Sequence, residues 1–297
     1  MFSGFERGTF EFFMALGFNN NREFFHDSHD WYEKSVRAPL RELCMDIAPA
    51  VLEIDRDMEV RPARVISHIN RDLRYSRDKS PYRDYMWLGF HRGGWDKSDC
   101  FHLYFDIGVQ GGNVGAGMYG DDRAWTDALR RAILLDPDGA RRVLCSQQLG
   151  GFELSGSCYK RMNIPDGLDE GLKRWYPLKS FSLNHAYTQD ELMSAELVQD
   201  MAKRLGLLKD VYDFMYRIRP MREEEPVEDA FHRIAGAGAA GLNGAQGLEC
   251  VSKIPKSAIS AYFAPFLRHK ARLIAAKPSG FFLELTQNPL ELADFPF

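Results

Sequence analysis

The chain has few cysteines, and their placement excludes the usual cysteine-based scaffolds. Its 297 residues contain five cysteines, which are scattered and form no C-x-x-C pair. Disulfide frameworks and structural zinc sites need clustered or regularly spaced cysteines, so reduced thiols in a cytoplasmic protein are the better interpretation. The N-terminal residues show no signal-peptide pattern, and no apolar run has the length that a membrane span needs. We therefore expect a cytoplasmic protein that does not associate with membranes.

Common catalytic and cofactor motifs are also missing. The sequence contains no G-x-S-x-G and no H-E-x-x-H, and the glycines between 111 and 117 lack the Lys-Ser/Thr ending of a phosphate loop. His26 and His29 have the spacing of a metal-ligand pair on a helix, but a solvated helix face explains them better because no further ligand pattern accompanies them. The sequence thus predicts neither a metal nor a cofactor.

Hydrophobic periodicity predicts an α+β fold. Alternation is clearest in 101–107, where apolar and polar residues point to opposite sides of a strand. Apolar residues at helical spacing precede and follow the strands, so we expect an antiparallel sheet packed on helices, with N-terminal helices and a C-terminal helical region. The predicted strands are 65–69, 85–91, 101–107, 113–119 and 179–184. The predicted helices are 9–16, two or three short ones between 22 and 54, 124–135, 140–149, 168–175, 192–205, 207–218 and 257–275.

Composition changes sharply after residue 218. An acidic stretch and then a run of mostly Gly and Ala follow it, which is typical of a linker. The sequence therefore predicts a main domain over 1–218, a linker over 219–256, and a C-terminal helix with an apolar tail over 257–297.

A basic run carries the strongest functional signal. Between Arg61 and Arg83 the chain has seven Lys or Arg and two acids, although its overall net charge is −4. Guanidinium groups bind phosphates and carboxylates through paired hydrogen bonds, so the run is a candidate anion site. Alternatively, nearby aspartates pair with these bases and hold a long loop against the sheet, and both interpretations stay open. The ligand-binding candidates are Arg71, Arg74, Ser76, Arg77, Lys79, Tyr82 and Arg83, and the acids that could pair with them are Asp72, Asp78 and Asp84.

Strand parity suggests a second group of candidates. If the predicted strands belong to one sheet, their polar positions line one side of each strand, and a face rich in His, Tyr and Asp next to an arginine loop would form a pocket with proton carriers and an anion anchor. A solvated sheet face is the alternative interpretation. The catalytic candidates are His91, His102 and Asp106, and Trp87 and Tyr104 are further ligand-binding candidates.

Three segments carry a resemblance to a known family. Residues 2–5, 19–25 and above all 71–83 are similar to the bacterial family DUF2461, a domain of unknown function. The resemblance covers roughly residues 1–218. It implies one cytoplasmic α+β domain, and it implies no activity and no catalytic residue.

These patterns leave three functional hypotheses. The first is binding of, or catalysis on, a small phosphorylated or carboxylated ligand. The second is a nucleic-acid-binding module, because Tyr75, Tyr82, Tyr85 and Trp87 alternate with the basic residues, although the acidic net charge argues against it. The third is a structural or interaction protein in which the basic run is an internal salt-bridge network. The sequence does not predict an oligomeric state.

Overall fold

The computed structural model describes residues 1–74, 78–93, 101–118 and 120–220. In these ranges a five-stranded antiparallel sheet packs on helices, which confirms the predicted α+β class. The strands are β1 Tyr85–Phe90, β2 Phe101–Gly108, β3 Gly111–Met118, β4 Glu153–Ser155 and β5 Ser182–Tyr187. The helices are α1 Arg7–Phe18, α2 Arg22–Asp27, α3 His29–Tyr32, α4 Ala38–Ile54, α5 Pro62–Val65, α6 Arg123–Leu135, α7 Pro137–Leu144, α8 Glu170–Lys173, α9 Gln189–Leu192, α10 Leu197–Leu207 and α11 Lys209–Ile218.

The sheet has the strand order β1-β2-β3-β5-β4. A tight turn joins β2 to β3, and Gly111 has a φ of 126° there. A Cβ at this position would collide with the carbonyl of Tyr187, so both the backbone angle and the close approach of β5 require glycine. This hairpin fixes the pairing of β2 with β3, in which Asp106 lies opposite Asn113.

Each face of the sheet has a different chemical character. Alternate residues such as Leu88, Leu103, Phe105, Val114 and Leu183 are fully or almost fully buried and form the core with the helices. Burial of this apolar area is the main source of stability. The opposite face is polar and lines a cleft, which is described below.

Several helices begin at a side chain that accepts a hydrogen bond from one of their first amides. Asn21 accepts a hydrogen bond from the Phe24 amide at the start of α2, and Thr188 and Glu191 form a capping box at the start of α9. Asn20 connects the end of α1 to the segment before β1: its Nδ2 donates to the Tyr82 carbonyl and its Oδ1 accepts from the Tyr82 amide, both at 3.0 Å. The end of α1 is thereby fixed beside residue 83.

One predicted strand is wrong, and one short strand was not predicted. The segment 65–69 is not a strand, because the helical turn α5 ends at Val65 and only isolated bridges follow, Ile66 with Leu88 and Asn70 with Tyr82. The three-residue strand β4 was not predicted, because so short a segment shows no clear alternation.

Helix α11 ends at Ile218, where the sequence analysis puts the end of the main domain, and this boundary stays a prediction. The predicted linker and the predicted C-terminal helix lie outside the described residues, apart from 219 and 220, so those boundaries stay predictions. Among the helices in the described ranges, none combines the length and the apolar character needed to cross a bilayer.

Candidate functional site

An open cleft of about 1190 Å³ lies over the polar face of the sheet. The volume is slightly above the usual range of small-molecule sites. Residues from β1, β2, β3 and β5 contribute to it, together with the last turn of α1 and the turn between β2 and β3. The lining residues used below are Met14, Gly17, Phe18, Arg83, Asp84, Tyr85, Trp87, His102, Tyr104, Asp106, Asn113 and Ser182.

Strand register brings Trp87, Asp106 and Asn113 into one row across three strands. Trp87 lies opposite Asp106 on β2, and Asp106 lies opposite Asn113 on β3. The Nδ2 of Asn113 donates to Oδ1 of Asp106 at 3.0 Å. Burial raises the pKa of Asp106 above its usual value of 3.8, and the hydrogen bonds from Asn113 only partly oppose this. A carboxyl group with these properties is suited to proton exchange with a ligand.

Tyr104 lies in the next row, between Gly89 on β1 and Gly115 on β3. Its hydroxyl donates to Oδ1 of Asn184 and lies 3.1 Å from the point where a Cβ on Gly115 would stand. The phenol therefore extends across the glycine. Burial raises the pKa of Tyr104 to about 12, so the phenol stays neutral at physiological pH.

Asn184 extends this hydrogen-bond network to the edge strand. Its Nδ2 donates to Oγ of Ser155 on β4 at 2.6 Å and to Oγ of Ser182 at 3.1 Å. The phenol, the amide and the two hydroxyls thus form a connected polar floor from β2 to β4, and the network orients Tyr104.

His102 occupies the row after Tyr104, opposite Gly117. Its ring centroid is 6.1 Å from that of Tyr104, and the two planes are inclined by 60°. His102, Tyr104 and Asp106 therefore lie at alternate positions along β2 and line the same cleft, together with Trp87.

Arg83 lies at the edge of the cleft in a fixed orientation. Its Nη1 donates to the carbonyls of His68 and Asn70 at 2.7 and 2.8 Å, and its guanidinium lies 4.8 Å from the centre of the Trp87 ring. Both hydrogen-bond partners are neutral carbonyls that position the guanidinium, and the carboxylate of Asp72 is close enough to interact with its charge. Within the part of the chain that the structure describes, Nε and Nη2 of Arg83 donate to no protein acceptor.

Other bases of the run contact the loop itself. Arg71 is partly buried, donates to the Tyr82 carbonyl and forms ion pairs with Asp78 at 3.2 Å and Asp84 at 3.9 Å. Arg74 donates to both carboxylate oxygens of Asp72. These contacts correspond to the salt-bridge interpretation of the run.

The remaining candidates of the run lie elsewhere. Lys79 donates to the Leu73 carbonyl at 3.0 Å. Tyr82 is buried and stacks on Phe25, with 4.2 Å between the ring centroids. Ser76 and Arg77 lie outside the described residues. Among the described bases of the run, Arg83 is thus the one that lines the cleft.

His91 does not join the other catalytic candidates. It follows the end of β1, is buried, and its Nδ1 lies 3.0 Å from the Arg92 carbonyl. Strand parity applies only while the strand continues, and β1 ends at Phe90. The cleft accordingly contains His102 and Asp106 but not His91.

Several site residues were not predicted from the sequence. Asn113 and Ser182 lie on the polar positions of β3 and β5, and Phe18 lies at the end of α1. The alternation rule that found Asp106 would also have found Asn113 if the glycine-rich β3 had shown a clear apolar alternation. In the described ranges no group of three His, Cys, Asp or Glu side chains could hold a metal ion.

Comparison with known proteins identifies a family. The model of a family described as a conserved hypothetical protein (DUF2461) matches residues 8–214. A search of curated proteins finds no match.

Proposed function

The chain belongs to the DUF2461 family, and we propose that its cleft binds a small ligand with a phosphate or carboxylate group, which Arg83 contacts. One observation carries this proposal: Arg83 is held by two neutral carbonyls at the edge of a cleft. A guanidinium fixed in this way is preorganised for an anion, because less conformational freedom is lost on binding. Arg71 and Arg74, in contrast, already pair with aspartates.

The charges around Arg83 limit what the ligand can be. Asp84 and Asp106 line the same cleft, so a highly charged polyphosphate would meet two carboxylates and one described guanidinium. A ligand with a single anionic group fits this balance better. Protonation of Asp106 would also remove a repulsive charge and supply a hydrogen-bond donor for a ligand oxygen.

If the bound ligand reacts, Asp106 and His102 are the candidates for proton transfer. Both line the cleft, and the raised pKa of Asp106 moves this carboxyl toward the range in which an acid-base catalyst works. Tyr104 is less suited to this role, because its pKa is about 12 and its hydroxyl proton is donated to Asn184. Its role in the proposal is to form the floor on which the ligand rests.

The direct test is a calorimetric titration of the protein with sodium sulfate at constant ionic strength. Sulfate is a suitable probe because it keeps its charge across the pH range used. We expect saturable binding of one sulfate per chain. Heat that increases without saturation, or no heat at all, would contradict the proposal. A titration is used because a shift in melting temperature would not distinguish binding from the non-specific stabilisation that sulfate gives through exclusion from protein surfaces.

Asp106→Asn should make sulfate binding tighter and less dependent on pH. In the wild type, affinity should increase as the pH falls through the raised pKa of Asp106, because protonation removes a negative charge from the cleft. The asparagine keeps the shape but carries no charge at any pH.

The same substitution should stabilise the fold at neutral pH. Because the pKa of Asp106 is higher in the folded protein than in the unfolded chain, ionisation costs stability as the pH rises through 3.8 and then through the folded-state pKa. The gain in melting temperature should therefore be present at pH 7 and absent below pH 3.8. Asp84→Asn is the matched control, because it removes an exposed carboxylate of the same cleft that pairs with Arg71, and it should give no comparable gain in melting temperature.

A further inference from the structure

Three exposed apolar side chains lie on the walls of this cleft. Phe18 is 84% exposed, Met14 49% and Tyr85 43%, and all three line it. Isolated exposed apolar residues are common on protein surfaces, but a group of them in a concave site marks a surface that a ligand or partner covers. Phe18 is the most exposed of the three, so it offers the most apolar surface for a ligand to cover.

These apolar side chains are held in a fixed position relative to Arg83. Met14 and Phe18 belong to the last turns of α1, which ends at Phe18. Two residues later, Asn20 forms its two hydrogen bonds with the backbone of Tyr82, the neighbour of Arg83. Tyr85 stacks on Trp87, with 5.8 Å between the ring centroids and 29° between the planes, and Trp87 in turn lies under the Arg83 guanidinium.

The cleft therefore combines one oriented cation with an adjacent apolar and aromatic wall. We infer that its ligand is an aromatic anion, a small molecule in which an aromatic ring is joined to a phosphate or carboxylate group. Arg83 contacts the anionic group, and Phe18, Met14 and Tyr85 contact the ring. This inference rests on the proposed function and specifies the class of ligand.

The composition of the wall favours an aromatic ring over an aliphatic chain. Offset or edge-to-face packing against Phe18 and Tyr85 adds to the energy of simple burial, and a methionine thioether makes favourable contacts with ring edges. The oriented guanidinium next to a short aromatic wall suits a small molecule, whereas a protein partner would cover a larger surface. Arg83, the one described arginine of the lining, provides the positive charge that matches the anionic group of such a ligand.

Calorimetric titrations with 1-naphthyl phosphate and with inorganic phosphate test the inference. The two probes share the anionic group and differ in the ring. The wild type should bind 1-naphthyl phosphate about tenfold more tightly than phosphate, since the ring buries additional apolar area. Phe18→Ala should reduce this preference by at least about threefold and leave the affinity for phosphate unchanged. Phe18 is exposed, so the variant should fold normally.

Leu135→Ala is the matched control, because Leu135 is also an exposed apolar residue, 64% exposed, and lies on α6 outside the cleft lining. It should change neither affinity. Equal affinities for the two probes in the wild type would overturn the inference while the proposed function stands. Failure of both probes to bind would instead remove the proposed function, and an unchanged ring preference in Phe18→Ala would show that the ring binds elsewhere.

Discussion

Replacing Arg83 with glutamine should weaken sulfate binding by roughly 10- to 100-fold, because a hydrogen bond to a charged group contributes about 1.5–3 kcal/mol. Glutamine keeps a polar side chain but carries no charge. Calorimetric titration of wild type and variant at equal ionic strength measures the effect. Equal affinities of the two proteins would contradict the assignment of Arg83 as the residue that contacts the anion.

Two further variants make this result interpretable. Lys79→Gln removes a cation of the same run that donates to the Leu73 carbonyl and lies outside the cleft lining, so it should leave sulfate binding within about twofold of wild type. Arg83→Lys keeps the charge but loses the forked geometry, and it should retain part of the affinity. Because Arg83 also holds the carbonyls of His68 and Asn70, circular dichroism and thermal melting should accompany each titration to show that the variants are folded.

Gly115→Ala should destabilise the fold by about 2–4 kcal/mol, since an added methyl group in a packed region forces the surrounding atoms to move. The new Cβ would collide with the Leu183 carbonyl, a backbone atom that cannot rotate away, and would lie 3.1 Å from the Tyr104 hydroxyl. The paired strands β3 and β5 would have to separate, and the Tyr104–Asn184 hydrogen bond would be disturbed. Urea denaturation measures the loss.

Gly17→Ala is the control for this substitution. Gly17 lies in α1 and lines the cleft, and a Cβ there would meet no atom within 4 Å. Alanine is more favourable than glycine in a helix by up to about 1 kcal/mol, so this variant should be as stable as wild type or slightly more stable. If both alanine variants had the same stability as wild type, the close contact between β3 and β5 at Gly115 would be wrong.

The strand face could be predicted from the sequence because strand parity is a local rule. Alternation in 101–107 correctly separates the buried Leu103 and Phe105 from His102 and Asp106, and the β2–β3 hairpin extends the same face to Asn113. The rule failed for 65–69, where Pro62 starts a helical turn instead of a strand. It also predicted His91 on this face, but β1 ends one residue earlier and His91 does not line the cleft.

The partners of the basic run could not be predicted from the sequence. Charge density alone does not distinguish Arg71, which pairs with Asp78, from Arg83, which binds carbonyls and faces the cleft. That difference depends on how the loop closes, which involves the Asn70–Tyr82 bridge and the anchoring of Tyr82 by Asn20. Phe18 escaped prediction for the same reason, because its function depends on where α1 ends relative to this loop.

The structure bears differently on the two alternative hypotheses. Single-stranded nucleic acids stack their bases on exposed aromatic faces; Tyr82 is buried against Phe25 and is not available for stacking, whereas Tyr85 is 43% exposed. The salt-bridge hypothesis describes Arg71 and Arg74 well but does not account for Arg83. A loop that is stabilised by its own ion pairs and presents one further arginine to the cleft combines the structural and ligand-binding interpretations.

The most direct test of the ligand-binding cleft is an NMR titration in which the protein carries ¹⁵N in its tryptophan indole groups and an anion is added. The chain has five tryptophans, and Trp87 lies under the guanidinium of Arg83, whereas Trp125 and Trp175 are buried in the core. The variant Trp87→Phe assigns the signal of the Trp87 indole. This resonance should shift saturably as sulfate or 1-naphthyl phosphate is added, while the resonances of Trp125 and Trp175 stay in place. Saturation of the protein with either anion while the Trp87 resonance does not move would contradict binding at Arg83.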